Sequence, residues 1–319
     1  MMDLCIVERR GWLSLTVFTA LFTVIPWLRP LVEHGKLRGQ AGKQGGPKSW
    51  LRTDTPKRWF AHFYLLGLVS CIVALVDIFL FRGSLVTERI QGYSVCSRVA
   101  AKNYQATELG AESLVCLVLL TMQVGRRLWE SMAVTQWGSS RMSRPVYALG
   151  ILHYQMLVLT VLVEAPPFHV MIEEASISGM KGALEAAVRL VQSINLRHAV
   201  ALGFFFVGFA RQHEAISHLA SLRVPAVDGK VTTSTYAIPM KGWFKYVSCP
   251  HYFAELLIYC SYALLVGAHR GGGLGEGYVL VVLWVFSNQA CVAGNTHQWY
   301  QRKFEDYPRG RKRMIPGVW

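Results

Sequence analysis

WFAHFYLLGLVSCIVALVDIFLF, residues 59–81, is the stretch that decides the fold. Only His62 and Asp77 in it can carry charge. At 1.5 Å per residue, a helix of that length crosses the roughly 30 Å of hydrocarbon in a bilayer. Working outward, six more apolar runs approach the same length, at about 11–28, 109–124, 145–164, 196–210, 250–268 and 277–295. The first follows Glu8, Arg9 and Arg10 and ends in Pro26-Trp27-Leu28-Arg29-Pro30 without a small-x-small cleavage site, so it reads as a helix and not as a signal peptide. The fold class expected is all-α, a polytopic membrane bundle of about seven transmembrane helices. Composition agrees: 52% of the 319 residues are hydrophobic and 16% charged, against about 25% charged in an ordinary soluble protein. Residues 1–58 read as the first membrane helix plus a flexible basic cytosolic loop. Residues 59–319 carry six further helices and a basic tail, and fold as one unit with the first helix.

The charge distribution sets an orientation. Lys plus Arg number 33 against 19 Asp plus Glu, a net +14. With seven spans, alternate connections carry 23 and 9 of these basic residues, and the richer set should face the cytosol. That places the N-terminus outside or in the lumen and the C-terminus in the cytosol. Basic loops flanking apolar spans are explained by topology, which leaves nucleic acid without support. Seven cysteines make an odd count with no C-x-x-C spacing, and several lie inside apolar runs; they read as neither a disulfide framework nor a zinc site. Residues 35–56, rich in Gly and Lys, offer no core to bury and read as flexible. Gly271 to Gly277 lacks G-x-G-x-x-G and follows no strand, so it reads as a turn between helices.

Ionisable groups inside a bilayer are costly and mark either a function or a partner that satisfies them. His62, Asp77, Glu112, His153, Arg197, His198 and Glu255 fall in the apolar runs, and Asn288, Gln289 and Asn295 occupy the last. For Asp77, Glu112, His153, Arg197 and His198 the plainer reading is a helix-end or interhelical hydrogen bond. Glu255 and the polar face of the seventh run read as function. The cytosolic ends carry Arg126, Arg127, Arg211, His213, His218 and Arg223, then His297, Gln298, Tyr300, Arg302 and Lys303. The planar guanidinium fork suits phosphate; lipid headgroups are the competing ligand.

These residues resemble a known family. Gln298-Trp299-Tyr300, Lys303-Phe304-Glu305-Asp306-Tyr307-Pro308, Arg311-Lys312 and Ile315-Pro316 look like the tail of the steroid 5-alpha-reductase family, and Ile238-Pro239, Gly242-Trp243-Phe244, Tyr246-Val247-Ser248 and Ala254-Glu255 add to the match. Within it, the chain is most similar to the polyprenol (polyprenal) reductase branch through Pro56 to Tyr64, Arg126 to Glu130, Asn288-Gln289-Ala290 and His297-Gln298. The resemblance implies seven membrane helices whose cytosolic half encloses NADPH in place of a Rossmann domain. It implies Glu255 and Asn288 near the nicotinamide, Tyr300 near the cofactor, Arg223 and Arg311 near phosphate or ribose, and Arg126 and Arg127 as further cofactor partners. The chain departs from the steroid-reducing members: the positions of their carbonyl-holding Glu and Tyr fall at or beside Phe63 and at Val124, and His251 stands where Asn is usual.

A hydride needs an electron sink, which an isolated allylic alkene lacks and a conjugated aldehyde has. The expected reaction is therefore saturation of the α-isoprene double bond of a polyprenal, as the resemblance implies for dolichol synthesis and N-glycosylation. The α-carbon then needs a proton, and His297 and His62 are the expected catalytic donors. The partners expected are a long isoprenoid from the bilayer and NADPH from the cytosol, with no metal, in the endoplasmic reticulum membrane. The competing classes are a 3-oxo-steroid 5-alpha-reductase, a membrane methyltransferase and a seven-helix receptor; the last has no N-x-Ser/Thr sequon to support it.

Overall fold

The computed structural model describes residues 3–24, 54–101, 106–138, 141–169, 194–223, 236–266 and 275–319. Most of the loop read as flexible, and Gly271 to Leu274 of the glycine-rich turn, lie outside the described residues. The helices are α1 (Leu4–Val24), α2 (Phe60–Phe81), α3 (Thr87–Gly92), α4 (Val95–Ala101), α5 (Ala106–Trp129), α6 (Arg144–Glu164), α7 (Leu196–Ser221), α8 (Pro250–Val266) and α9 (Glu276–Lys303). All seven apolar runs fall on the long ones. Four segments are long and apolar enough to cross a membrane: Lys57–Phe81, Leu109–Val134, Arg144–Glu164 and Glu276–Lys303. The other three long helices have identifiable reasons to fall short. Helix α1 carries Glu8, Arg9 and Arg10; α7 carries Arg197, His198 and Arg211; and α8 has 17 residues, the lower limit for a span.

The polar groups inside the runs are largely structural, in the way expected for five of them. Asp77 is buried and its carboxylate accepts from the backbone N–H groups of Leu85, Val86 and Thr87 at 2.7–3.0 Å. It thereby turns the chain out of α2, past Arg82 and Gly83 in the left-handed region, and caps α3. Glu112 on α5 accepts from Arg197 (2.6 Å) and pairs with His198 (2.9 Å) at the start of α7. Arg197 also donates to the carbonyls of Leu264 (2.7 Å) and Leu265, near the end of α8, where helical acceptors go unsatisfied.

Small residues set the closest approaches. A Cβ on Gly208 of α7 would stand 2.6 Å from the Ala254 carbonyl of α8, so these two helices meet backbone to backbone. One on Gly67 of α2 would stand 3.0 Å from Tyr154 Cβ and 3.3 Å from Val124, which brings α5 and α6 together beside it. A continuous apolar core runs through the bundle, with Trp12, Phe205 and Ile258 fully buried in it. A two-stranded ribbon, β1 (Asp54–Pro56) antiparallel to β2 (Arg141–Ser143), ties the start of α2 to the start of α6. The tail folds back under α8: Ser248 and Cys249 donate to the carbonyls of Lys312 and Arg313, and Lys312 donates to Tyr246 O.

One expectation is corrected. Cys5 and Cys96 form a disulfide, although the cysteine pattern reads as no disulfide framework. Pairing depends on which residues the fold places together, and these lie 91 positions apart. The bond joins the first turn of α1 to α4, on the end of the bundle where Arg9 bridges Glu164 (2.8 Å) and Glu276 (2.7 Å). Cys5, Cys96 and Glu164 also cluster closely enough to hold a metal, but both sulfurs are already bonded to each other.

Candidate active site

At the end of the bundle covered by the β-ribbon, two cavities adjoin. An inner chamber of about 220 Å³ lies among α1, α2, α6, α8 and α9. A basic chamber of about 240 Å³ lies between the start of α2 and the end of α7. They share a wall of Phe60, Tyr64, Arg127 and Tyr252.

Arg127 stands on this wall near the end of α5, which continues into one π turn, Glu130–Val134, a distortion that recurs at functional sites. Glu130, fully buried, accepts from both Arg126 and Arg127 and meets His213 Nδ1 at 2.9 Å. The two arginines then diverge. Arg127 donates to the Tyr64 hydroxyl at 2.9 Å and lies 5.1 Å over its ring, between the chambers. Arg126 packs 4.2 Å over Phe209 and binds Gln123 and Gln212; it lines neither chamber and serves the α5–α7 contact.

The basic chamber is lined by Lys57, Arg127 and Arg223, with Trp137 and His251. Arg223 donates to the Gln136 carbonyl. The inner chamber presents Glu255, Asn288, Gln289 and Asn295 beside aromatic rings, and Glu255 accepts from Gln289 Nε2 at 2.7 Å. His153 also lines it, but its ring is fully engaged. Trp284 Nε1, which can only donate, bonds Nδ1 at 3.0 Å, so Nε2 carries the proton toward the Tyr259 hydroxyl at 2.9 Å.

The expected residues thus divide. Arg127, Arg223, Glu255 and Asn288 gather around the paired chambers. Tyr300 and Arg311 belong to a third place, under the tail, where Tyr300 stacks on Tyr307 at 5.3 Å and Arg311 lies 5.0 Å over the Tyr307 ring. His297 joins that cluster: Ser248 Oγ lies 2.6 Å from both His297 Nδ1 and the Tyr307 hydroxyl, and itself donates to Lys312 O at 3.1 Å. The single Ser248 proton can serve any of these three contacts, and the arrangement holds His297 through Nδ1, which leaves Nε2 as its other ring nitrogen. Burial pushes the Tyr307 phenol above the usual tyrosine range, its bond to Ser248 opposing. His62 stands apart, its Nδ1 2.8 Å from the Tyr147 hydroxyl and its ring against Trp59. Neither histidine lines either of the two chambers.

The residues fit a dinucleotide phosphate. Arg311 is 4% exposed, and among the described residues its Nε and Nη1 have no hydrogen-bond partner; Arg127 Nε is in the same condition. A buried guanidinium with open donors is costly unless an anion completes it. Lys57, Tyr64, Tyr154 and Tyr252 are lining residues that sequence reasoning missed. Lys57 and Tyr64 stood inside a quoted motif, whereas nothing in the sequence marks Tyr154 on the fourth run.

A family model described as 3-oxo-5-alpha-steroid 4-dehydrogenase matches residues 182–319. Over that C-terminal part the chain is similar to the class of the 3-oxo-5-alpha-steroid 4-dehydrogenases. A polyprenal reductase of Danio rerio is 32% identical over 274 residues, covering 85% of this chain and 82% of its own. Those of Homo sapiens and Caenorhabditis elegans are 29% identical over 321 residues and 28% over 320, covering 97% and 96% of this chain and 94% and 93% of theirs. The chain belongs to the polyprenal reductase family.

Proposed function

We propose that this protein is an NADPH-dependent polyprenal reductase of the endoplasmic reticulum membrane, saturating the α-isoprene double bond on the route to dolichol. The observation that carries this reading is the near-full-length likeness to polyprenal reductases, joined to an inner polar chamber that opens onto a basic one. When bound, NADPH supplies the hydride. Arg223, Lys57 and Arg127 line the chamber suited to its phosphates, and the open donors of Arg311 suit a further anionic or ribose contact. Glu255 and Asn288 face the place for the nicotinamide ring, and Tyr300 braces the cofactor side through its stack with Tyr307. His297, held by Ser248, is the first candidate for the acid that supplies the α-carbon's proton and His62 the second; since neither lines a chamber, the proton would reach the substrate through an intervening water. Phe18 on α1 lines the inner chamber while 41% exposed, which suits a mouth open to the side, through which an isoprenoid tail stays in lipid.

The seven long helices then all cross the bilayer, with the N-terminus lumenal and the C-terminus cytosolic. The Cys5–Cys96 bond supports that orientation, because disulfides persist in the oxidising lumen and not in the cytosol. Steroid reduction is the second reading; the apolar Phe63 and Val124, where carbonyl-holding groups are expected for it, speak against it. The deciding experiment incubates the purified chain anaerobically with NADPH and, separately, polyprenal, polyprenol and an enone steroid, followed by mass analysis. Polyprenal should gain two hydrogens and polyprenol none. Saturation of aldehyde-free polyprenol would overturn the electronic argument, and preference for the steroid would overturn the substrate.

A further inference from the structure

We infer that Tyr154 holds the carbonyl oxygen of the substrate, its phenol donating the hydrogen bond that stabilises the enolate formed when the β-carbon is reduced. The inference rests on the polyprenal reading and deepens it. An aldehyde entering the inner chamber needs a donor there, and most of the polar groups lining it are already spoken for. His153 gives its one proton to Tyr259. Gln289 donates to Glu255. Tyr64 is set apart by position: it stands on the wall shared with the basic chamber, its oxygen tied to the Arg127 guanidinium. Tyr154 lines the inner chamber and not the basic one, its residue is 7% exposed, and its hydroxyl makes no hydrogen bond to another described residue. Its hydroxyl is therefore open to the chamber, where a ligand oxygen can accept its hydrogen bond.

Its ring is also held. It meets Tyr64 edge-on at 5.2 Å and His153 at 5.0 Å, and packs tightly on Gly67, where an added Cβ would stand 3.0 Å from its own. The oxygen-holding donor is thus fixed before substrate arrives, which is what makes such a donor effective as charge develops. Position along α6 suits a lipid aldehyde: Tyr154 lies about 15 Å from the helix start at Arg144, at 1.5 Å per residue, well inside the apolar layer.

Electrons and protons balance. The hydride forms the new C–H bond at the β-carbon, and the π pair of the C=C bond moves to join the α-carbon to the carbonyl carbon. The C=O π pair then comes to rest on oxygen, against the Tyr154 O–H. Protonation of the α-carbon by a separate acid returns that pair and restores the aldehyde, and Tyr154 keeps its proton throughout.

The test uses the full-length purified protein in lipid nanodiscs. Wild-type turnover of polyprenal is measured first. If it is absent, the substrate reading fails and takes the Tyr154 role with it. Given turnover, the infrared carbonyl stretch of carbonyl-¹³C-labelled polyprenal is recorded in the NADP⁺-loaded protein, where no hydride can transfer. The stretch should lie below its value in lipid alone, return to that value in Tyr154→Phe, and be accompanied by a turnover loss of roughly 10² or more with NADPH affinity unchanged. Should Tyr154→Phe not fold, 3-fluorotyrosine incorporated at 154, a stronger hydrogen-bond donor, should lower the stretch further. An unmoved stretch in either variant, or a stretch that responds to Tyr252→Phe instead, overturns the inference.

Discussion

At the scale of single residues, chemistry and packing are separated by which donors remain open. Arg126 and Arg127 are adjacent in sequence and indistinguishable there, yet on a helix of 3.6 residues per turn they point to different faces, one into the α5–α7 seam and the other to the wall between two chambers. Arg223 lines the basic chamber with Lys57, where a third phosphate would meet a planar fork. Arg223→Ala should therefore raise the apparent Michaelis constant for NADPH more than that for NADH in initial-rate assays; equal weakening would remove it from the phosphate site. His297→Gln keeps size and some hydrogen bonding but removes the exchangeable proton, so turnover should fall roughly 10²-fold or more while the melting temperature holds. Because the acid form of His297 must carry two protons, wild-type turnover should decline as pH rises through the imidazole transition, and that limb should vanish in the variant. Near-normal turnover in His297→Gln would pass the role to His62. The basic residues and Glu255 were legible because charge in or beside an apolar run is conspicuous. Tyr154 was not, since a tyrosine in a membrane helix looks like any other large ring until the fold places it on the wall of a chamber.

At the scale of the elements, hydropathy alone placed all seven long helices, because length and apolarity are properties of contiguous sequence. What it did not carry was which faces meet. Gly208 reads as an ordinary glycine in an apolar run, and only the 2.6 Å approach of its absent Cβ to the Ala254 carbonyl shows that α7 and α8 touch at the backbone. Gly208→Ala should force the helices apart and destabilise the protein by about 1–3 kcal/mol, as overpacking does, seen as a lower melting temperature in detergent. Glu255 follows Ala254 directly, so turnover measured well below that temperature should fall too. A variant with normal melting and normal turnover would show that the seam yields without strain.

At the scale of the whole molecule, the reading that failed was of cysteine. An odd count without tight spacing concealed a bond between residues brought together by the outward run of α1 and the return of α2, a relation that no local pattern encodes. Cys5→Ser, Cys96→Ser and the double variant should each lose about 2–4 kcal/mol of stability, as loss of a cross-link over a long loop does. A reductant should produce the same fall in the wild type and no further fall in the double variant. Thermal denaturation with and without reductant checks this, and a wild type insensitive to reductant would show the bond to be dispensable.

The Cys5–Cys96 bond also closes a covalent ring around everything between those positions, including the lysines and arginines from Lys36 to Arg52. A single protease cut placed in that segment would break the polypeptide without releasing α1. The nicked protein should migrate as one species on a denaturing gel, and shed a short N-terminal fragment only after thiol treatment. A ring closed in this way holds two pieces of chain at high local concentration, so α1 could be supplied as a separate strand of protein, joined by one sulfur bridge, and still complete the wall that Phe18 contributes to the inner chamber.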